Sequence, residues 1–298
     1  VKEIPGKAFL NLMNTPRERM RLSLEGLSVG DGFGERFFRE DAHALIVEGR
    51  LPEAPWEWTD DTAMALSIVE VLEARGAIDR DLLAATYARR YMLEPWRGYG
   101  AGAHDLLGRV GRGEPWSTVA PSLFSGMGSL GNGGAMRVAP LGAFFADAPV
   151  ERVVAEARAS AEPTHAHPEG QAGAIAVALA AAFVARGGRA GLLEHVIAHT
   201  PEGETREGLR RAAALPKGGH VLIAASHLGS GQKVSAPDTV PFALWAAARN
   251  LGSFEGALWE TVEGLGDRDT TCAMVGGIVA LATGVPEKWL QAREPLPL

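Results

Sequence analysis

Two short clusters of carboxylates and hydroxyls constrain this chain more than anything else in it. Thr59-Asp60-Asp61-Thr62 and Asp267-Arg268-Asp269-Thr270 lie toward opposite ends of the 298 residues. Each opens a run of small and apolar residues, Ala63-Met64-Ala65-Leu66 after the first and Cys272-Ala273-Met274-Val275-Gly276-Gly277 after the second. Both runs read as helices, so both clusters fall at helix N-termini. Singly, each is explained by capping, since Thr and Asp satisfy free N–H groups and suit the positive end of the helix dipole. Together, they point to a fold that makes four carboxylates converge. Like charges that close cannot all stay ionised without something to neutralise them. An all-oxygen donor set with hydroxyls suits two hard divalent cations such as Mg²⁺, Mn²⁺ or Ca²⁺.

The rest of the chain reads as helix and loop. Met20, Leu22, Leu24 and Leu27 favour a helix from Arg17 toward Val29, after an irregular lead-in over residues 1–16. Gly30-Asp31-Gly32-Phe33-Gly34 reads as a loop whose glycines admit a close backbone or ligand. Phe37 and Phe38 are expected to return to the core. Leu51 to Trp58, with Pro52 and Pro55, is a loop that delivers the chain to Thr59. Met64, Ile68, Val71 and Leu72 then share one helical face, which Gly76 ends. Further helices are expected from Asp79 to Met92, briefly around Leu106, Leu107 and Val110, and at 150–161, 168–186, 190–199, 205–214, 241–250, 254–263 and 270–283. Residues 216–240 read as turn and loop. No alternating apolar run supports a sheet, and no linker divides the chain. One all-α domain over residues 1–298 is the economical reading.

Composition removes several function classes. The net charge is −7 and no Lys/Arg block stands out, so no nucleic-acid surface is expected. Cys272 is the one cysteine, which rules out an intrachain disulfide and suits the cytoplasm. The longest apolar stretch, Ala172 to Val184, is short for a bilayer span, and the N-terminal residues lack the apolar core of a signal peptide. The seven tryptophans are expected mostly in the core.

The segment from Ser117 to Gly134 is the richest in glycine, through its run Ser125-Gly126-Met127-Gly128-Ser129-Leu130-Gly131-Asn132-Gly133-Gly134. It contains G-x-G-x-x-G, but no strand precedes it and no βαβ unit surrounds it, so a dinucleotide fold is not supported. Two readings stay open: a loop entering a helix at Ala135 whose N–H groups hold phosphate, or a tight turn with no ligand. Thr164-His165-Ala166-His167 lacks the further ligands of a zinc set. His165 reads either as a ligand-facing ring or as a capping or core histidine. His195 and His199 read as surface groups.

These residues, taken in order, resemble the ADP-ribosylglycohydrolase family nearly end to end. The matching segments are Gly30-Asp31-Gly32-Phe33-Gly34, Thr59 to Thr62, Arg97-Gly98-Tyr99-Gly100, Gly131 to Val138, Thr164-His165 and Asp267 to Thr270. The resemblance implies an all-α fold with a dinuclear site, usually of Mg²⁺. By position, the ligands would be Thr59, Asp60, Asp61, Asp267, Asp269 and Thr270. The loop Ser129, Gly131, Asn132 and Gly133 would face a pyrophosphate. Tyr99 with Gly100, and His165, would lie near a ribose or its phosphates.

Two positions depart from the family pattern. A glutamate commonly follows Gly-Asp-x-x-Gly by four residues, and here that position is Phe38. The second motif is often Gly-Gly-Asp-Thr-Asp-Thr, and here Arg268 separates the aspartates. Glu35 is expected to replace the missing carboxylate, in preference to Glu40, with Asp31 as a rival in the same segment. The implied function is hydrolysis of the N- or O-glycosidic bond between ADP-ribose and a protein side chain or small acceptor, with Glu35, Asp60, Asp61 and Asp269 at the reacting centre. The alternatives are a two-metal nucleotide phosphohydrolase and a non-catalytic ADP-ribose-binding relative.

Overall fold

The computed structural model describes residues 15–216 and 218–297. Among them every regular element is a helix, and the β pairing consists of two isolated bridges, Trp56 with Arg293 and Gly131 with Ser235. The lead-in expected over residues 1–16 lies outside the described residues as far as position 14.

The first helix, Pro16–Glu35, begins at a capping box. Thr15 Oγ1 accepts from the Glu18 N–H, and the Glu18 carboxylate accepts from the Thr15 N–H. The helix does not stop near Val29. It continues through Gly30-Asp31-Gly32-Phe33-Gly34, the stretch expected to be a loop. The cause lies in its partner. Gly26, Gly30 and Gly34 recur every fourth residue and so form one stripe. A Cβ on each would fall 2.3 Å from the Gly276 carbonyl oxygen, 2.0 Å from that of Cys272 and 2.3 Å from that of Arg268. The order of these contacts makes Arg268–Thr283 antiparallel to the first helix. Glycine costs about 1 kcal/mol per residue in a helix, and here close packing of two backbones offsets that cost. Ser23 Oγ adds a hydrogen bond to the Gly277 carbonyl at 2.8 Å.

Pro168–Ala185 runs through the core, with Ala174 to Ala181 fully buried. By length and hydropathy this helix is long and apolar enough to cross a bilayer, contrary to the shorter stretch read from the sequence. Here 72% of it is buried inside the protein, and its small side chains let neighbours close in. A Cβ on Gly142 would lie 2.1 Å from the Ala178 carbonyl oxygen.

An aromatic cluster fixes the end of the first helix. Phe33 packs against Phe37, Trp56, Trp259 and Trp289 at centroid distances of 4.8, 5.4, 5.2 and 4.7 Å. Trp56, Trp58, Trp245 and Trp289 are buried, as expected, whereas Trp96 is exposed. Phe37 enters the core but Phe38 is 51% exposed. The turn Arg36–Phe38 is one 3₁₀ turn, and its successive side chains point in different directions.

Residues 216–240, read as loop, contain Val221–Leu228 and the start of Ala236–Arg249. Pro237 sits in the first turn of the latter, where a missing N–H costs nothing, and Pro241 lies inside the helix. The first part of the glycine-rich region is likewise helical from Trp116. It breaks at Phe124 and Ser125, which take φ of 52° and 60°.

The glycine stripe yields a stability test. Gly30→Ala should lower unfolding free energy by about 1–3 kcal/mol, the usual cost of overpacking. Gly252→Ala, with nothing within 4 Å of the added Cβ, should stay within about 0.5 kcal/mol of wild type. Denaturant midpoints measure both, and equal midpoints would show that close backbone contact is not a constraint.

Candidate active site

Three helices deliver the acidic residues to one crevice. Asp31 follows Gly30 on the first helix and faces the start of Asp60–Arg75. Its Oδ2 accepts from the Thr59 N–H at 2.9 Å, the Thr62 N–H at 3.1 Å and the Thr62 hydroxyl at 2.5 Å, and its Oδ1 lies 2.9 Å from Thr59 Oγ1. Asp31 thus caps and orients the first acidic cluster from outside it. Thr59 is itself the N-cap, as expected. The two clusters meet at Asp61, whose Oδ2 lies 3.1 Å from Thr59 Oγ1 and 3.5 Å from Thr270 Oγ1. Asp31, Asp61 and Asp269 each bring an oxygen within 4.8 Å of the others.

The electrostatics of this crevice are unfavourable as they stand. Burial raises the Asp31 carboxyl to about 6, against the lowering effect of its hydrogen bonds. Burial, then the Asp31 charge, raises Asp60 to about 8. Asp61 is pushed well above the carboxylate range by burial, then by Asp31 and Asp269. Asp269 moves the same way through burial, Asp267 and Asp31. Asp61 Oδ1 and Asp269 Oδ1 are buried without a hydrogen-bond partner among the described residues. Buried carboxylate oxygens left unpaired are costly, and a bound divalent cation removes that cost. The donor set, carboxylates with threonine hydroxyls, fits Mg²⁺ or Mn²⁺.

The expected neighbours surround the crevice. The Asp60 N–H donates to the Arg97 carbonyl at 2.6 Å, and a Cβ on Gly98 would lie 3.6 Å from Asp60 Oδ1. The loop holding Tyr99 and Gly100 therefore passes beside Asp60. Arg97 fixes that loop. It forks onto Glu294 at 2.7 and 2.9 Å, pairs with Glu94 at 2.7 Å, donates to the Trp58 carbonyl at 3.0 Å and lies 3.5 Å over the Trp58 ring. Tyr99 is buried and its hydroxyl has no partner among the described residues. Burial, then the Asp60 charge, pushes its phenol up. Gly100 is exposed and opens the helix Ala101–Gly111.

On the other side, Gly131 and Gly133 lie over His165. A Cβ on either would come within 3.4 Å of His165 Nε2. Ser129 Oγ accepts from the Gly131 N–H at 3.1 Å and shapes the loop. His165 Nδ1 is 2.7 Å from Thr164 Oγ1, which accepts from Arg137 at 2.7 Å. Burial, then Arg137, lowers the His165 ring to about 3, so it is neutral. Arg137 is fully buried, 4.4 Å over the Tyr87 ring. Asn132 turns its amide toward Asp267, at 2.7 Å.

Glu35 ends the first helix, half-buried. Burial, then the Asp31 charge, raises its carboxyl above the usual range. Glu40 is exposed. His167 caps Pro168–Ala185, while His195, half-buried, stacks on Phe183 and lies tilted against the exposed His199. Sequence reading weighed Asp31 only as a rival to Glu35 and did not single out Arg137. The four-residue glycine period was the available signal for Asp31, because it extends the helix through that position.

Comparison with known proteins agrees with this geometry. The ADP-ribosylglycohydrolase family profile matches residues 12–296. ADP-ribosylhydrolase ARH3 of Homo sapiens is 33% identical over 274 residues, covering 80% of this chain and 74% of its own. The Mus musculus ARH3 is 32% identical, with 93% and 87% covered. A solved structure described as an ADP-ribosylglycohydrolase-related protein complex superposes with a TM-score of 0.69 at 25% identity, covering 95% of this chain and 94% of that one. The family match over nearly the whole chain and these relatives make it a glycosidic-bond hydrolase by class. It belongs to the ADP-ribosylglycohydrolase family.

The raised carboxyls predict a pH dependence with a definite sign. Between the unfolded aspartate value near pH ~4 and about 8, where Asp60 titrates in the fold, the metal-free native state holds more protons than the unfolded chain. Stability should therefore fall as pH rises through that window. Saturating Mg²⁺ should remove most of the fall, because it binds the ionised form. Melting temperatures from pH 5 to 8, with chelator and with Mg²⁺, measure this. A flat chelator profile would mean that the clusters act only as caps.

Proposed function

We propose that the protein is a divalent-metal-dependent hydrolase that releases ADP-ribose from an N- or O-glycosidic link to a protein side chain or small acceptor. The observation that carries this is the meeting of Asp31, Asp61 and Asp269 oxygens within 4.8 Å, two of those carboxylates holding a buried, unpartnered oxygen. The relatives' names point the same way. ARH3 is named an ADP-ribosylhydrolase, and the Tri1 protein of Serratia proteamaculans, 24% identical over 92% of this chain and 74% of its own, is named an ADP-ribosylarginine hydrolase.

In this reading Thr59, Asp60, Asp61, Asp267, Asp269 and Thr270 hold two Mg²⁺ ions, with Mn²⁺ able to replace them. Bound there, the ions supply Lewis-acid polarisation and open positions for oxygen ligands. The protein's own groups do the rest. Asp60, Asp61 and Asp269 stabilise the oxocarbenium-like charge that builds as the acceptor departs. Glu35, its carboxyl raised by burial and then by the Asp31 charge, exchanges a proton with the acceptor or the attacking water. Gly131 and Gly133 let the backbone approach the diphosphate closely. Ser129 shapes that loop, neutral His165 lies beneath it, and Tyr99 and Gly100 flank the ribose. Binding energy at the diphosphate positions the distant reacting bond.

Incubation with Mg²⁺ and ADP-ribosylated protein, or with ADP-ribosyl-arginine and ADP-ribosyl-serine peptides, should release free ADP-ribose, and chelator should stop it. Release of AMP or phosphate would instead support a nucleotide phosphohydrolase. Glu35→Gln should reduce turnover by about 10²–10⁴-fold while metal content and ADP-ribose affinity stay near wild type. Glu40→Gln should leave turnover unchanged. Wild-type turnover in Glu35→Gln would remove that residue from the mechanism.

A further inference from the structure

Asn132 lies in the glycine-rich loop, where contact with a diphosphate is the obvious role. Its hydrogen bonds point elsewhere. The residue is 3% exposed and its side chain makes no capping bond to Gly133–Met136. Nδ2 donates to Asp267 Oδ2 at 2.7 Å and to Thr239 Oγ1 at 3.1 Å. Thr239 gives its own hydroxyl proton to the Ser235 carbonyl at 2.8 Å, so it can only accept from Asn132. A carboxylate and an accepting hydroxyl together fix which end of the amide is nitrogen. An amide NH₂ has two protons, and both are committed. What remains is Oδ1, an acceptor, which a phosphate oxygen cannot use.

Asp267 needs such a partner. It is the N-cap of Arg268–Thr283, yet its carboxylate makes no capping bond. Its backbone is held, with the N–H donating to the Ser230 carbonyl at 2.9 Å and Gly231 packed against its Cβ. The carboxylate itself accepts from Asn132 through Oδ2, and its other side-chain neighbour is the Asp269 carboxyl, which cannot fix it by charge. We propose that Asn132 is a positioning residue for Asp267, holding a metal-ligand carboxylate in place and tying the glycine-rich loop to the helix that bears it. The chain Asp267–Asn132–Thr239–Ser235 then continues to Gly131 through the bridge between Ser235 and Gly131. This rests on the reading of Asp267 as a metal ligand.

The test is Mn²⁺ affinity of the full chain, by calorimetry or electron paramagnetic resonance, for wild type, Asn132→Leu, Asp267→Ala and the double variant. Removing a group that orients a ligand typically costs about 10–100-fold in metal affinity, so Asn132→Leu should bind Mn²⁺ that much more weakly. The double variant should bind no more weakly than Asp267→Ala alone, because the amide then has no ligand to aim. Asn132→Ala serves in its place if leucine does not yield folded protein. Wild-type Mn²⁺ affinity in the Asn132 variant, or losses that add in the double variant, would overturn the proposal and leave the metal reading intact. A wild type that binds no Mn²⁺ would overturn both.

Discussion

The carbonyl oxygens of Arg268, Cys272 and Gly276 occupy the space that side chains at Gly34, Gly30 and Gly26 would need. This contact fixes the distance between the first helix and one of the last, and the crevice depends on it. Asp31 follows one of the contact glycines, and Asp269 follows one of the residues they touch. Drawing the backbones together therefore draws the carboxylates together. Side chains in the stripe would hold the helices at the ordinary spacing of 8–10 Å, and the oxygens of Asp31 and Asp269 would move apart with them.

Bringing carboxylates together is unfavourable, and the fold opposes that cost in two ways. Hydrogen bonds to Asp31 from Thr59 and Thr62 stabilise its charged form locally. Arg137, buried without a carboxylate against it, lowers the Asp60 value at longer range. Neither effect prevails, since burial still leaves Asp31, Asp60, Asp61 and Asp269 raised. The same Arg137 also acts on the opposite wall. Through Thr164 it is linked to His165 and helps keep that ring neutral, so one buried guanidinium influences both the acidic crevice and the glycine loop.

The paired acidic clusters were readable because each carries its local explanation, a helix start, and only their duplication asks for more. Helical class followed from the spacing of Met64, Ile68, Val71 and Leu72 and from the lack of alternation elsewhere. The course of residues 30–34 was not readable from propensity. Three glycines in five residues favour a loop until the neighbouring helix is known, and tertiary packing then overrides them. The same applies to Asn132. Its neighbours in sequence suggest a phosphate loop, but its amide is committed to Asp267 and Thr239, more than a hundred residues away. Exposure at Phe38 was hidden as well, since only the 3₁₀ geometry of Arg36–Phe38 separates it from Phe37.

That turn also relates the two departures from the family pattern. Arg268 stands between the aspartates of the second cluster, and Phe38 stands where a glutamate is common. In the fold they meet. Arg268 Nη1 donates to the Phe37 carbonyl at 2.6 Å, and its guanidinium lies 5.7 Å from the Phe38 ring. A cation beside two aspartates would ordinarily pair with them, but here its hydrogen bond goes to the backbone of the turn. Burial lowers its basicity, and among the described residues its Nε has no partner while Nη1 bonds that carbonyl. The bond fastens the residues immediately after Glu35 to the helix that bears Asp269. A threonine at 268 has no guanidinium with which to make this bond, and Phe38 offers the guanidinium no competing carboxylate. The two substitutions are thus compatible as a pair. Together they join the turn to the helix that bears Asp269, and Glu35, one helical turn from Asp31, directly precedes that turn.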